Sequence, residues 1–160
     1  MKEGKAMYAD FNFYQNTYYG DTLTESNANK WLDRASDYVD TITFHRLETA
    51  FPTDKSHVVK VKKAVCAIAD ALYFIDTQRK AGAASIGADG KATGAVASIS
   101  SGKESISYAT GGTASVYSAA AGSTVVQDSY TMSIAEKYLS NIPDANGVNL
   151  LYAGFELCEA

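Results

Sequence analysis

The sequence predicts an all-α fold, a small helical bundle of three main helices with a long loop that carries a β-hairpin arm. Three segments place apolar residues at spacings of three and four, which is the pattern of amphipathic helices. Between the second and third of them lies a segment rich in Gly, Ala, Ser and Thr. The 160 residues have the usual length of one domain, so residues 1–160 are interpreted as a single domain.

Residues 7–23 form an aromatic leader. Tyr8, Phe11 and Tyr14 recur every three residues, which favours a short helix or turn before a loop at Gly20. Because so many rings need an apolar surface to cover, we expect these three side chains to mediate packing of the leader. The partner surface is either the chain's own helices or a neighbouring subunit.

Residues 24–80 are predicted to form a two-helix core. Thr22 or Thr24 can cap the first helix. The apolar stripe of that helix is Ala28, Trp31, Leu32, Ala35, Tyr38, Val39 and Ile42. Asp33, Asp37 and Asp40 lie on its other side, and we interpret them as a solvated face rather than a cation site.

The second helix of the core follows Pro52 and begins at Asp54 or Ser56. Its stripe consists of Val61, Ala64, Val65, Ile68, Ala71, Leu72 and Ile75. Lysines and aspartates occupy its wetter positions. The helix is expected to end near Lys80, before Gly82.

Residues 81–124 hold most of the chain's 12 glycines and are predicted to be a flexible loop. Within it, residues 96–108 show two polar/apolar alternations around Gly102, which predicts a β-hairpin. An isolated hairpin is marginal in water, so this arm is expected to find a partner surface. The side chains predicted to make that contact are Val96, Ile99, Ile106 and Tyr108.

The last helix is predicted over residues 125–141, and Pro143 stops it. Residues 142–160 form an apolar tail with a turn at Asn146–Gly147. Such a tail either folds back on the core or docks on another chain. Its candidate contact residues are Leu150, Leu151, Tyr152 and Phe155.

The inventory of reactive side chains argues against an enzyme, and no cofactor or metal is predicted. His45 and His57 lack a second ligand at metal spacing. The segment Gly87–Ala92 has the wrong glycine spacing for a phosphate loop, and its lysine lacks a following hydroxyl. Cys66 is expected to be a buried small hydrophobe and Cys158 a tail thiol, as fits a reducing cytoplasm.

Charge and hydropathy exclude two further classes. The formal net charge is −4 and no basic run stands out, which argues against tight binding of DNA phosphates. No stretch approaches the roughly 20 apolar residues of a membrane span.

Several segments carry a family resemblance through their shared order. They are Tyr8–Phe11 with Tyr14, Tyr18, Gly20 and Asp21; Ala35–Asp40 with Thr43, Phe44 and Arg46; Val61–Ala69; Ala97–Ser100 and Ser105–Tyr108; and Ala135, Tyr138 and Leu139 followed by Leu150–Gly154. In these the chain resembles head–tail connector (adaptor) proteins of tailed bacteriophages and prophages of Gram-positive bacteria. It departs from them in the longer loop at 81–124 and in Asp144–Asn149, which replaces a shorter turn.

The resemblance implies a non-enzymatic virion protein at the head–tail junction that resides in the host cytoplasm during assembly. Such proteins form a ring, usually of twelve subunits, that docks on the portal protein and carries the stopper or tail-terminator protein. Viral DNA passes through the lumen without specific binding. On this interpretation the hairpin residues make intersubunit or tail-side contacts, and Leu150, Leu151, Tyr152 and Phe155 touch the portal.

Two alternatives stay open at the level of sequence. One is another neck or tail-completion protein of a phage. The other is a soluble helical ligand-binding module, in which the Gly/Ala-rich loop closes over a small molecule.

Overall fold

The computed structural model describes residues 7–82, 85–86, 92–93, 98–101, 104–107 and 116–154, and it describes side chains in 7–80 and 116–154. The described chain is mostly helical, which confirms the predicted helical class. Its helices are α1 (Phe11–Asn16), α2 (Glu25–Ile42), α3 (Arg46–Thr49), α4 (Lys55–Gly82), α5 (Val116–Gly122) and α6 (Thr124–Leu139). None of these combines the length and apolar character that crossing a bilayer requires.

The helix starts follow the predicted capping chemistry. Thr24 stands in extended conformation before α2, and its N–H donates to Oδ1 of Asn27 at 2.9 Å. Asp54 stands before α4, where its Oδ1 accepts from the backbone N–H of Ser56 at 2.8 Å. In both cases a side-chain oxygen partners a backbone donor at the helix start, so these two predicted starts are confirmed.

The chain divides into two compact units. The first consists of Met1–Tyr73 and Ser129–Ala160, and the second of Phe74–Asp128. The core of the first unit joins the leader, α2, α4, α6 and the segment after α6. Its buried apolar residues include Tyr14, Leu23, Trp31, Leu32, Val39, Val61, Val65, Ile68, Leu139, Ile142 and Leu150.

Helix α4 supplies much of this core from almost all sides. Val61, Ala64, Val65, Cys66 and Ile68 are all fully buried. A helix that is apolar around its circumference belongs in the centre of a bundle, and the small side chains let its neighbours approach closely.

The second unit is described in part. Strands β1 (Ser85–Ile86) and β2 (Ala92–Thr93) pair antiparallel, as do β3 (Ser98–Ser101) and β4 (Glu104–Ser107). Helix α5 corrects the predicted flexible loop at 81–124, whose last residues are helical. The Phe74 and Tyr117 rings stack there, with centroids 5.1 Å apart.

The hairpin arm remains a prediction. The backbone register places Ile99 opposite Ile106, but Val96 and Tyr108 lie outside the described residues.

Candidate functional site

The leader is fixed to the chain's own core at its first tyrosine. The Tyr8 hydroxyl donates to Oδ1 of Asp40 at 2.5 Å, and the Tyr8 N–H donates to Oγ of Ser36 at 3.2 Å. Asp40 is fully buried, so its predicted place on a solvated face is wrong, whereas Asp33 and Asp37 are exposed as predicted. The physical reason is that a tyrosine 32 residues away covers this carboxylate and bonds to it.

Tyr14 is the second anchor of the leader and is itself fully buried. Its hydroxyl donates to Oδ1 of Asp70 on α4 at 2.6 Å. The same oxygen accepts from the backbone N–H groups of Thr22 and Leu23, both at 3.1 Å. One side chain thereby closes the leader loop on itself and ties it to α4.

Gly20 completes this arrangement by passing directly over the Tyr14 ring. A Cβ atom at position 20 would lie 2.1 Å from Cζ of Tyr14, which is far inside van der Waals contact. The loop therefore needs glycine here because only a backbone without a side chain can approach the ring so closely.

Burial sets the protonation states around this anchor. It raises the pKa of Tyr14 to about 12, with the nearby Asp70 carboxylate adding to the effect. It also raises the pKa of Cys66 to about 12 and the pKa of Asp70 above its ordinary value. Cys66 is therefore a thiol at neutral pH, without the thiolate character of a nucleophile. The cluster is built for cohesion.

A different set of residues lies where α2 ends. We call Phe44, His45, Arg46, Asn141 and Tyr152 the end surface. The N–H of Phe44 donates to the Thr41 carbonyl at 3.2 Å and that of His45 to the Asp40 carbonyl at 2.8 Å, which is the Schellman pattern of a helix C-terminus.

The backbone of the end surface is strained. Phe44, His45 and Asn141 have φ values of 54°, 59° and 61°, the left-handed region that glycine normally occupies in such turns. This conformation costs an L-residue about 1–2 kcal/mol. Despite that cost, the Phe44 side chain is 49 % exposed and gains little burial within this chain. An exposed aromatic ring on a strained turn indicates a role outside the fold.

Arg46 links this turn to the segment after α6. Its Nη2 donates to the Tyr152 carbonyl at 2.6 Å, and its guanidinium carbon lies 6.0 Å from the centre of the Tyr152 ring. Its Nε is buried and has no partner within the described residues. The Tyr152 side chain is 44 % exposed beside an open depression of about 410 Å³. That depression is lined by Ser140, Asn141, Asn149, Leu151 and Tyr152.

The segment that carries Tyr152 is held by a polar turn. Oδ1 of Asp144 accepts from the N–H groups of Asn146 and Val148 at 2.8 and 2.9 Å. The N–H of Leu150 donates to the Ile142 carbonyl at 2.9 Å, which directs the Leu150 side chain into the core. The end surface therefore rests on a rigid support rather than on a loose tail.

At the start of α2 lies a second open depression, of about 480 Å³, that we call the polar depression. Its lining residues are Asp10, Phe11, Asn12, Gln15, Glu25 and Asn29. It offers two carboxylates and three amides beside one aromatic ring. Such a lining suits a cationic group with an apolar neighbour.

The predicted contact residues are distributed unevenly. Leu150 is fully buried, so its predicted role in contact with another protein is corrected. Leu151 is half-buried and Tyr152 exposed, and Phe155 lies outside the described residues. In the leader, Tyr8, Phe11 and Tyr14 pack on the chain's own core, which settles that alternative for these residues.

Sequence reasoning missed Phe44 and His45 as surface features. The available signal was an absence: no Gly, Asn or Pro follows Ile42, so the turn that ends α2 had to use ordinary residues.

Across the described part of the chain, no three His, Cys, Asp or Glu side chains are grouped so that they could hold a metal ion. Comparison of the chain with family models, with curated proteins and with solved structures found no match.

Proposed function

We propose that this chain is a structural subunit of a ring at the head–tail junction of a tailed bacteriophage. The ring docks on the portal protein, extends the DNA channel and carries the stopper or tail. The proposal starts from the sequence resemblance described above. The end surface is the single structural observation that supports it best, because a strained, exposed aromatic turn on a rigid helical body suits contact with another protein.

The chemistry of the buried polar groups supports a structural role as well. Tyr8 and Tyr14 use their hydroxyls to bind carboxylates within the core. Cys66, with its pKa raised to about 12 by burial, is the buried thiol among the described residues and is not activated. These groups stabilise the fold and are not arranged around a space for a substrate.

The direct test is to locate the chain in particles of the phage or prophage that encodes it. Mass spectrometry of purified virions should detect the chain, and reconstruction of the neck should place it between portal and tail. Particles that assemble normally and contain none of it would refute the proposal.

The hairpin arm belongs to the same proposal. Its residues Val96, Ile99, Ile106 and Tyr108 are assigned to intersubunit or tail-side contact. Replacing 96–108 by a Gly/Ser linker of equal length should leave the helical core folded, as judged by circular dichroism, while heads accumulate without tails. Normal tail attachment by this variant would remove the arm from the proposal.

For the tail we now assign Leu151, Tyr152 and Phe155 to portal contact, without Leu150. Tyr152→Ser should weaken co-sedimentation of the purified chain with portal-bearing heads and leave its melting temperature nearly unchanged. Leu151→Ser serves as the companion variant, because Leu151 is half-buried at the same site. Unaltered co-sedimentation of both variants would contradict the assignment.

A second candidate function is suggested by the polar depression, whose amides and carboxylates are suited to a small polar ligand. A ligand-binding module would shift the Asn12 and Asn29 amide resonances on addition of a small molecule. A ring subunit would shift them on contact with protein. Titration with a panel of amines, sugars and amino acids separates the two.

A further inference from the structure

The end surface and the polar depression are at opposite ends of the same helix. Glu25 and Asn29 belong to the first turns of α2, whereas Phe44 and His45 follow its last residue. Eighteen residues of α-helix span about 27 Å. Two sites so far apart cannot meet within one subunit, but they can meet between two copies.

The two sites are complementary in charge. The end surface carries the Arg46 guanidinium, whose buried Nε lacks a described partner, and the exposed His45. The polar depression carries the exposed carboxylates of Asp10 and Glu25. Contact between them would pair opposite charges at two points.

They are also complementary in shape and hydropathy. The exposed Phe44 ring projects from a turn, and the polar depression is concave with Phe11 in its wall. Aromatic rings that bury each other contribute beyond simple area burial. The strain at Phe44 is then offset by a contact that the isolated chain does not make.

We propose that the end surface of one copy binds the polar depression of a second copy, head to tail. Phe44 enters the depression beside Phe11, and the basic groups of His45 and Arg46 face Asp10 and Glu25. The contact joins two different surfaces, so it is heterologous, which is the kind of contact that closes into a ring when the rotation between copies allows it. This inference rests on the proposed function, to which it adds the intersubunit contact.

The test is disulfide trapping between two differently tagged copies of the full-length chain in a Cys158→Ser background. Buried Cys66 does not interfere, since its thiol is protonated and inaccessible. One copy carries Phe44→Cys and the other Asn29→Cys, and concentrated protein is oxidised briefly. The control pair is Phe44→Cys with Met132→Cys, because Met132 is an exposed residue of α6 outside the polar depression.

The expected result is several-fold more mixed dimer from the Phe44/Asn29 pair than from the control pair, and less of it at high salt. Equal trapping in the control pair, or efficient trapping of Phe44→Cys with itself, overturns the proposal. Absence of mixed dimer overturns it as well.

The outcome is separable from that of the proposed function. If the chain is found in the virion neck but the pair is not trapped, only this contact is wrong. If the pair is trapped but the chain is missing from virions, the contact stands and the phage assignment fails.

Discussion

The leader and the end surface use aromatic side chains in opposite ways. In the leader, Tyr8 and Tyr14 bury their rings and direct both hydroxyls to carboxylates of the same chain. At the end surface, Phe44 adopts a costly backbone conformation and leaves half of its side chain in solvent. The first region contributes to folding stability and the second detracts from it. The difference identifies the end surface, rather than the ring-rich leader, as the place to look for a partner.

The strongest way to break this comparison is to remove the Tyr14 ring. Tyr14→Ala should lower the free energy of unfolding by about 3–5 kcal/mol, because it leaves a cavity and an unpartnered Asp70. Urea unfolding followed by circular dichroism measures this. Tyr19→Ala is the matched control, since Tyr19 is 81 % exposed, and it should change stability little. Equal effects of the two variants would contradict the role given to Tyr14.

The close approach of Gly20 to the ring predicts the next largest effect. Gly20→Ala places a methyl group within the Tyr14 ring, so the loop must shift and stability should fall by about 1–3 kcal/mol. In the double variant with Tyr14→Ala the additional loss should shrink, because the obstructing ring is gone. Simple additivity of the two losses in urea unfolding would show that the contact is unimportant.

The end surface predicts an effect of opposite sign. Phe44→Gly should raise the free energy of unfolding by roughly 1 kcal/mol, because glycine adopts the left-handed conformation without strain. The same variant should lose the Phe44-dependent contact between copies. His45→Gly relieves comparable strain and keeps the aromatic ring, so it separates the two effects. A destabilised Phe44→Gly variant would show that the ring already serves the fold.

The smallest effect is a pH dependence at Asp70. Burial raises the pKa of this carboxyl in the folded chain. Its contribution to stability is therefore fully present below the ordinary pKa of 3.8 and is lost as the pH rises through the folded pKa. Asp70→Asn keeps an oxygen acceptor for Tyr14 but does not titrate.

The wild-type chain should thus lose stability relative to Asp70→Asn as the pH is raised from acid to neutral, and chemical unfolding at several pH values measures the difference. A difference that is constant with pH would show that Asp70 ionises as freely in the folded chain as in the unfolded one.

The helices were predictable because apolar spacing and capping residues are local signals. Thr24 and Asp54 identified two helix starts from a few neighbouring residues. Helix α5 was missed because Ala, Ser and Gly around Val116 lack an apolar stripe, and its helical conformation is not dictated by composition.

The burial of Asp40 and of Leu150 depended on contacts across the chain. Asp40 is covered by Tyr8, and Leu150 is brought to the core by the turn around Asp144. No local pattern encodes either contact. The end surface combines a local feature, the missing glycine after α2, with a distant one, the carbonyl of Tyr152 on Arg46. Only the first was available from the sequence.

The bond between Tyr14 and Asp70 joins residues separated by 56 positions. On the ribosome, the leader emerges first and has no acceptor for its hydroxyl until the middle of α4 has been made. At about 5–20 residues per second, that interval lasts on the order of 3–11 s. During synthesis the aromatic amino-terminal segment is therefore incomplete for seconds, and it becomes a fixed part of the molecule only when translation has passed residue 70.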